Sequence, residues 1–304
     1  MILKHKNRND FNNSLVKVFD LMSIHGKYNI VGSASLKGIY YNSDIDLNQQ
    51  VKIRGKTAFE SVYNMFVKKF QMAKQNPNIY ITDFKAGVDD KNNESLKWSY
   101  EKLLREKDEF IKSIRLKPST IKLDIAYLLN GIFVEITEVY FLDIGGFKTY
   151  ETNELDKTSI KTELENEFHE QLKKGNFFKA LKRLFSILLI EKAKKPLLQK
   201  LISFFNSETG ILYKANADLQ ILINVISNTF RQVKIEDIKN NLQIIKANLS
   251  IQTETHKNCS IIIDDICSQT DLNKINVYIQ KLSEYLSKVF NRFAKRFLET
   301  IKVN

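Results

Sequence analysis

The sequence is poor in cysteine, proline and glycine, and it has no long apolar segment. Its two cysteines, Cys259 and Cys267, lack the spacing of a zinc site or of a secreted disulfide framework. The longest apolar runs, such as residues 187–190, are far shorter than the roughly 18 residues that cross a membrane. The opening MILKHKNRND contains no apolar core of a secretion signal. We therefore expect no membrane segment, and a cytoplasmic protein in a reducing compartment.

Acidic residues are outnumbered by basic ones. The 47 Lys and Arg residues exceed the 35 Asp and Glu residues, which gives a formal net charge of +12. A surplus of this sign attracts polyanions, so nucleic acid is the expected class of partner. The alternative is compositional, because a chain rich in Lys, Asn and Ile with 3 Pro and 10 Gly is also typical of an AT-rich genome. The 43% of hydrophobic residues indicates a globular protein, and 304 residues allow two domains.

Hydrophobic periodicity divides the chain into two halves. Before residue 150 it predicts helices at 11–22, 57–73 and 99–114 and strands at 28–31, 44–51 and 78–84. Two more strands, 119–129 and 132–142, are joined by Asn130-Gly131, which predicts an antiparallel hairpin. From about residue 151 helical periods dominate, with a stop at Pro196. We predict an α+β fold: a domain over residues 1–150 with a mixed β-sheet flanked by helices, then an all-helical domain over residues 151–304.

The stretch VGSASLKGIYYNSDIDL, residues 31–47, carries the candidate chemistry. A predicted strand runs into Gly32-Ser33 and a short helical turn, and the next strand opens with Asp44-Ile45-Asp46. Residues two apart in a strand point to the same face, so the carboxylates of Asp44 and Asp46 are predicted side by side. Paired carboxylates are the hard oxygen ligands that Mg²⁺ and Mn²⁺ prefer, and N–H groups at a helical turn cradle phosphate oxygens. We interpret the pattern as a site for a metal-bound triphosphate.

A site for two metal ions needs a further carboxylate, and the predicted strand IKLDIAY offers Asp124. Its apolar residues form one face of the strand and leave Asp124 on the other. A register shift of one residue would turn Asp124 away, so Glu135 remains the alternative third ligand.

In their order and spacing, Gly32, Ser33, Asp44, Asp46 and Asp124 resemble the motif of the DNA polymerase β-like nucleotidyltransferase superfamily, over roughly residues 29–142. The Ser-Asp-Ile-Asp-Leu form, the helical second domain and the segment FKAG at 84–87 are most similar to the poly(A) polymerase catalytic subunits of large DNA viruses. The resemblance implies a template-independent polynucleotide adenylyltransferase that adds AMP from ATP to RNA 3′ ends. It also implies a homodimer or an accessory processivity subunit, and a virus factory or virion as alternative locations.

The same resemblance implies roles for particular residues. Asp44 and Asp46 would hold two Mg²⁺ or Mn²⁺ ions, Asp124 would help to hold the ion at the RNA 3′-hydroxyl, and Gly32 and Ser33 would hold the β and γ phosphates. In the family the first helices of the helical domain close over the nucleotide, which implies triphosphate or primer contacts. The candidate residues for these contacts are Lys179, Lys182 and Arg183, with a solvated helix face as the alternative.

Two further features have structural interpretations. The segment SKVFNRFAKRFLETIK alternates cations with phenylalanines, a combination that can form a track for an RNA backbone. At helical spacing we favour the other interpretation, in which the phenylalanines face a core and the cations face water. Trp98, in a polar stretch, is expected to hold a loop in place rather than to stack on a base.

Two other functions remain open. One is an oligoadenylate or cyclic-dinucleotide synthase of the same superfamily, which needs no primer. The other is a non-catalytic RNA-binding subunit. We favour an enzyme because Asp44, Asp46 and Asp124 are all present, whereas degenerate relatives usually lose a metal carboxylate.

Overall fold

The structure is a computed structural model, and it describes residues 29–31, 45–55, 57–88, 95–115, 120–143, 157–191, 195–228, 231–249 and 253–301. The predicted helix at 11–22, the Gly32-Ser33 turn and Asp44 lie outside these residues. In the described ranges no helix is both long enough and apolar enough to span a membrane.

Among the described residues, six strands form one mixed sheet in the order β1-β2-β6-β5-β3-β4. The strands are β1 (Asn29–Val31), β2 (Ile45–Lys52), β3 (Ile79–Val88), β4 (Ser95–Lys97), β5 (Thr120–Leu129) and β6 (Ile132–Asp143). β2 and β6 are parallel, whereas the other neighbouring strands are antiparallel. The predicted α+β class with a mixed sheet is confirmed.

The hairpin between β5 and β6 forms at Asn130-Gly131. Both residues have positive φ, +51° and +79°, as a two-residue turn matched to the twist of its strands requires. The turn sets the register in which Leu129 opposes Ile132. The predicted antiparallel pair is confirmed.

The first helix that the structure describes, α1 (Thr57–Gln75), covers one face of the sheet. Phe66, fully buried, packs its ring 4.9 Å from that of Phe84 on β3 and 5.1 Å from that of Tyr140 on β6. Burying one such side chain contributes roughly 1.5–3 kcal/mol. The apolar face of β5 lies in the same core, whose β5 members are Ile121, Leu123, Ile125 and Tyr127.

The segment predicted as one helix over 99–114 is two, α2 (Tyr100–Arg105) and α3 (Lys107–Arg115). The Ser99 hydroxyl caps α2 by accepting a hydrogen bond from the N–H of Lys102. Glu106 leaves helical conformation, with φ −115° and ψ 45°, and ends α2. Trp98 precedes them, is buried, and donates its ring N–H to the carbonyl of Ala86 at 2.9 Å, as expected of a residue that holds a loop.

Beyond residue 143 every regular element among the described residues is a helix. These helices are α4 (Lys157–Lys173), α5 (Phe177–Ile190), α6 (Lys195–Phe205), α7 (Glu208–Asn228), α8 (Ile235–Asn248), α9 (Glu254–Ser268) and α10 (Leu272–Ile301). The helical segment predicted to stop at Pro196 ends at Ile190, and Pro196 itself lies in the first turn of the next helix, α6. Proline is tolerated there, since an N–H in the first turn has no partner within the helix.

The chain divides into two compact units. The first contains Met1–Thr149 and Ile221–Asn241, and the second contains Tyr150–Gln220 and Leu242–Asn304. Residues 221–241 therefore belong with the sheet, although we predicted them in the helical domain. Several side chains bond them to the sheet unit. Arg231 donates to the carbonyls of Asn76 and Pro77, at 3.0 and 2.7 Å, and Asn241 accepts the N–H of Phe133 at 2.9 Å.

Candidate active site

A row of paired residues crosses the sheet where the third carboxylate was predicted. On the parallel side of β6, Asp46 is the register partner of Thr137, and on its antiparallel side Thr137 is the partner of Asp124. Asp83 of β3 is the partner of Asp124 and extends the row. Two strand spacings of about 4.8 Å separate the backbones of Asp46 and Asp124.

The Asp124 carboxylate is held by two donors. The Thr137 hydroxyl donates to Oδ1 at 2.6 Å, and the Lys122 ammonium donates to Oδ2 at 3.0 Å. The Asp124 side chain is 14% exposed, and it lies on the face of β5 opposite the apolar core. An ionised carboxylate with one oxygen on a hydroxyl and the other on a cation has a defined orientation.

Asp83 is neutralised by lysines rather than left open. Lys85 and Lys97 lie 2.9 and 3.2 Å from its two carboxylate oxygens. Partial burial raises the pKa of Asp83, but the hydrogen bonds and charges of the two lysines outweigh it and hold this pKa below its ordinary value. Asp83 thus remains ionised and ion-paired at neutral pH.

Glu135, the alternative third ligand, lies on the same face of the sheet two register pairs away from Asp124. It is the register partner of Ala126, and its Oε1 accepts from the Thr82 hydroxyl at 3.3 Å and from the Asn224 amide at 3.4 Å. The Thr82 hydroxyl is also 3.1 Å from the main-chain oxygen of Asp124, so it lies between the two candidate ligands.

A buried charge lies beneath the row. Glu138 follows Thr137 in β6 and points to the opposite, core side, where its side chain is fully buried. Lys69 of α1 lies 3.0 Å from Oε2, and the Tyr140 hydroxyl donates to the same oxygen. This group ties the middle of β6 to α1 directly behind Thr137.

The structure brings together only part of the predicted set. Gly32, Ser33 and Asp44 lie outside the described residues, and Asp46 is described by its backbone pairing alone. Among the described side chains, no three His, Cys, Asp or Glu residues form a group that could hold a metal ion.

The three predicted cations lie together on α5 but have different surroundings. Lys182 lies 3.4 Å from the Tyr213 hydroxyl and 5.2 Å from the centre of its ring, and Arg183 is ion-paired with Glu167. Lys179 is exposed. Their predicted role in triphosphate or primer binding stays a prediction.

Sequence reasoning missed the residues that orient the candidate ligands. Thr137, Lys122 and Thr82 belong to no motif, and they become significant only through the pairing of β5 with β6 and β3. Lys122 could have been found from the strand alternation, since it is two residues from Asp124 and shares its face.

Solved structures resemble this fold over almost the whole chain. The M. chilensis Mg662 protein, complexed with GTP, has a TM-score of 0.66 and 14% sequence identity, with 95% of this chain and 93% of that chain covered. Two structures of a Megaviridae ORFan gene product described as a new nucleotidyl transferase have TM-scores of 0.69 and 0.65, with 15% and 12% identity. They cover 97% and 99% of this chain, and 91% and 96% of their own.

No model of a known protein family matches the chain, and no curated protein matches it. At 12–15% identity the likeness establishes a shared fold. The chain therefore has the fold of the Megaviridae nucleotidyl transferase structures, with a mixed sheet followed by helices.

Proposed function

We propose that this chain is a template-independent nucleotidyltransferase that adds AMP from ATP to the 3′ end of RNA. The observation that carries the proposal is the row in which Asp46 and Asp124 flank Thr137 on neighbouring strands. The fold shared with proteins described as nucleotidyl transferases supports the reaction class. The net charge of +12 supports a polyanionic substrate.

The residues of the row fit a divalent cation. In our proposal Asp44 and Asp46 hold two Mg²⁺ or Mn²⁺ ions, and Asp124 completes the set. Carboxylate oxygens are the preferred ligands of these ions. When bound, such ions lower the pKa of a hydroxyl nucleophile and neutralise the triphosphate and the departing pyrophosphate.

The side chains around the row position these groups. Thr137 fixes one oxygen of Asp124 and leaves the other to Lys122, so the carboxylate has one orientation before any ligand binds. In our proposal Gly32 and Ser33 hold the β and γ phosphates, and Lys179, Lys182 and Arg183 contact the triphosphate or the primer. Rate enhancement in nucleotidyl transfer comes mainly from such positioning and charge neutralisation.

The GTP bound to the M. chilensis Mg662 protein makes a second nucleotide substrate worth testing. Accordingly, each of the four nucleoside triphosphates is assayed separately with a labelled oligo(A)-ended RNA and Mg²⁺ or Mn²⁺. We expect a ladder of extended products with ATP. A ladder with GTP alone would support nucleotidyl transfer but show guanylyl rather than adenylyl specificity. Short products formed without primer would indicate a primer-independent synthase.

Matched variants test whether the proposed metal ligands, Asp46 and Asp124, differ in function from the neighbouring Asp83. Asp46→Asn and Asp124→Asn are expected to abolish extension while the fold and RNA binding remain. Asp83→Asn is the control because it removes a carboxylate from the same row that two lysines already neutralise, and it should retain activity. Mn²⁺ binding, followed by electron paramagnetic resonance, gives a second readout and should weaken in Asp124→Asn but not in Asp83→Asn. Glu135→Gln tests the alternative ligand in the same way.

The non-catalytic alternative predicts a different result. A folded protein that binds RNA, extends no primer with any nucleotide and binds no Mn²⁺ would be an RNA-binding subunit, and the proposed function would be wrong.

A further inference from the structure

One face of α10 carries a regular row of cations and tyrosines. The residues are Lys274, Tyr278, Lys281, Tyr285, Lys288, Arg292 and Lys295, and we call them the α10 row. Their spacing alternates between four and three residues, which places them along a single helix face. At 1.5 Å per residue the row is about 30 Å long.

All seven side chains of the α10 row are exposed. Tyr278 and Tyr285 are 42% and 39% exposed, so part of each ring is open to solvent. The opposite face of α10 is buried, and its core residues are Ile275, Ile279, Leu282, Leu286, Val289 and Phe290. The predicted packing of a phenylalanine in this segment is thus confirmed for Phe290, and the α10 row is the face directed away from that core.

The α10 row has charge of one sign. Between residues 273 and 298 the helix contains a single acid, Glu284, against six Lys and Arg residues. No cation of the row forms an ion pair with a carboxylate of the described residues. Lys281 instead lies 5.6 Å from the ring centre of Tyr278. A solvated helix face usually mixes both signs, so the uncompensated row favours a polyanion.

A shallow cavity adjoins the row at Tyr285. It has a volume of about 350 Å³ and is lined by Asn258, Ile261, Ile262 and Tyr285. Ile261 is 60% exposed beside it. An apolar recess with one aromatic wall and one amide offers a flat heteroaromatic ring both a stacking surface and a hydrogen-bond partner.

We propose that the α10 row binds single-stranded RNA, with phosphates along the cations and bases stacked on Tyr278 and Tyr285. Cations interleaved with exposed aromatic rings are the combination that holds single strands without reading their sequence. An anionic membrane is the weaker fit, because an interfacial helix needs a broad apolar face and this face offers two tyrosines. Identifying the strand as the primer rests on the proposed function, whereas the binding itself does not.

The test measures binding of a labelled oligo(A) RNA by fluorescence anisotropy at several salt concentrations. The triple variant Lys281→Gln, Lys288→Gln and Arg292→Gln removes three cations. Each lost phosphate contact lowers the slope of log K against log salt by about 0.7, so we expect a decrease of about 2. Lys68→Gln, Lys112→Gln and Lys234→Gln form the matched control, because they remove the same charge from exposed sites elsewhere. An equal decrease of RNA affinity and of salt slope in this control would overturn the proposal.

The tyrosines are tested separately. Tyr278→Ala with Tyr285→Ala is expected to weaken binding about fivefold or more per ring without changing the salt slope, since stacking of one base is worth about 1–3 kcal/mol. Tyr278→Phe with Tyr285→Phe should retain binding. Unchanged RNA affinity in the alanine pair would refute the stacking role. If the alanine pair instead loses binding to phosphatidylserine vesicles while its RNA affinity is intact, the α10 row binds a membrane and the RNA proposal is wrong.

The two proposals fail in distinguishable ways. Asp124→Asn should bind RNA as the unaltered protein does, because Asp124 is not in the α10 row. RNA binding that depends on the row in a protein without transferase activity would preserve this inference and reject the proposed function. If the triple variant extends primers and binds RNA as the unaltered protein does, the proposed function is preserved and this inference is rejected.

Discussion

Replacing Lys69 by Met should destabilise the first unit strongly. The Lys69 ammonium lies 3.0 and 3.3 Å from the two oxygens of Glu138, whose side chain has no exposure to solvent, and Lys69 itself is 17% exposed. Removing one partner of a buried ion pair costs about 3–5 kcal/mol, because the remaining charge is left in a poorly solvated site. The partial exposure of Lys69 and the Tyr140 hydroxyl favour the lower limit. We expect a loss of about 3 kcal/mol, which changes the unfolding equilibrium roughly 150-fold.

Urea unfolding followed by tryptophan fluorescence measures this loss directly. Trp98 is the only tryptophan of the chain, and it is buried within the first unit. Lys68→Met is the matched control, because Lys68 is the adjacent residue of α1 and is exposed. It should change the free energy of unfolding by less than about 0.5 kcal/mol.

A double-mutant cycle with Glu138→Gln completes the measurement. The double variant should lose clearly less than the two single variants together, because no unpaired charge remains buried. A loss below about 1 kcal/mol for Lys69→Met would equal that of a surface ion pair and refute the reasoning.

Three further predictions concern stability and reactivity. Burial raises the pKa of the Cys259 thiol to about 11. A thiol reagent should therefore label only the partly exposed Cys267 in the native protein, and both cysteines in denaturant. Prompt labelling of both cysteines in the native protein would contradict this. Because the pKa of Asp83 is lowered on folding, its ion pairs stabilise the protein above the ordinary carboxyl pKa, and this stability is lost as the pH falls through the folded value. Asp83→Asn should therefore be less stable than the unaltered protein at pH 7, by up to about 1 kcal/mol. In urea titrations this difference should close as the pH falls below the ordinary carboxyl pKa and through the lower folded value. A difference that persists in strong acid would exclude the ionised carboxylate as its cause. Asn241→Ala should lower the free energy of unfolding in urea by about 2 kcal/mol, because the N–H of Phe133 and the carbonyl of Gly131 lose their hydrogen bonds to the Asn241 amide. Asn240→Ala, at the exposed neighbouring residue, is the control and should leave the free energy of unfolding nearly unchanged.

Local signals predicted the elements that lie around the candidate site. The Asn130-Gly131 pair specifies its own turn, and the alternating pattern of 121–127 separates the face of Asp124 from the core face. The strand predicted at 44–51 is found at Ile45–Lys52, and the helix predicted at 57–73 is found at Thr57–Gln75. Each of these predictions depends on the spacing of residues within one segment, and that spacing can be seen in a single sequence.

Non-local pairing could not be predicted in this way. The row across the sheet exists because β2 lies parallel to β6, and these strands are separated by about 80 residues that contain three other strands. Glu138 shares the core face of β6 with Ile136 and Tyr140, and no local pattern indicates that a lysine from α1 and the Tyr140 hydroxyl satisfy it there. The assignment of 221–241 to the first unit depends on side-chain bonds to distant main-chain carbonyls, which have no local signal.

The discontinuous first unit has a consequence for synthesis on the ribosome. The segment that completes this unit ends at Asn241, about 90 residues after Thr149. At about 5–20 residues per second, the sheet emerges roughly 5 to 18 s before the residues that bond to its hairpin turn. During that interval the main-chain groups that Arg231 and Asn241 will bind are without these partners, so a nascent chain stalled near residue 150 is expected to be a better chaperone substrate than one stalled after residue 241.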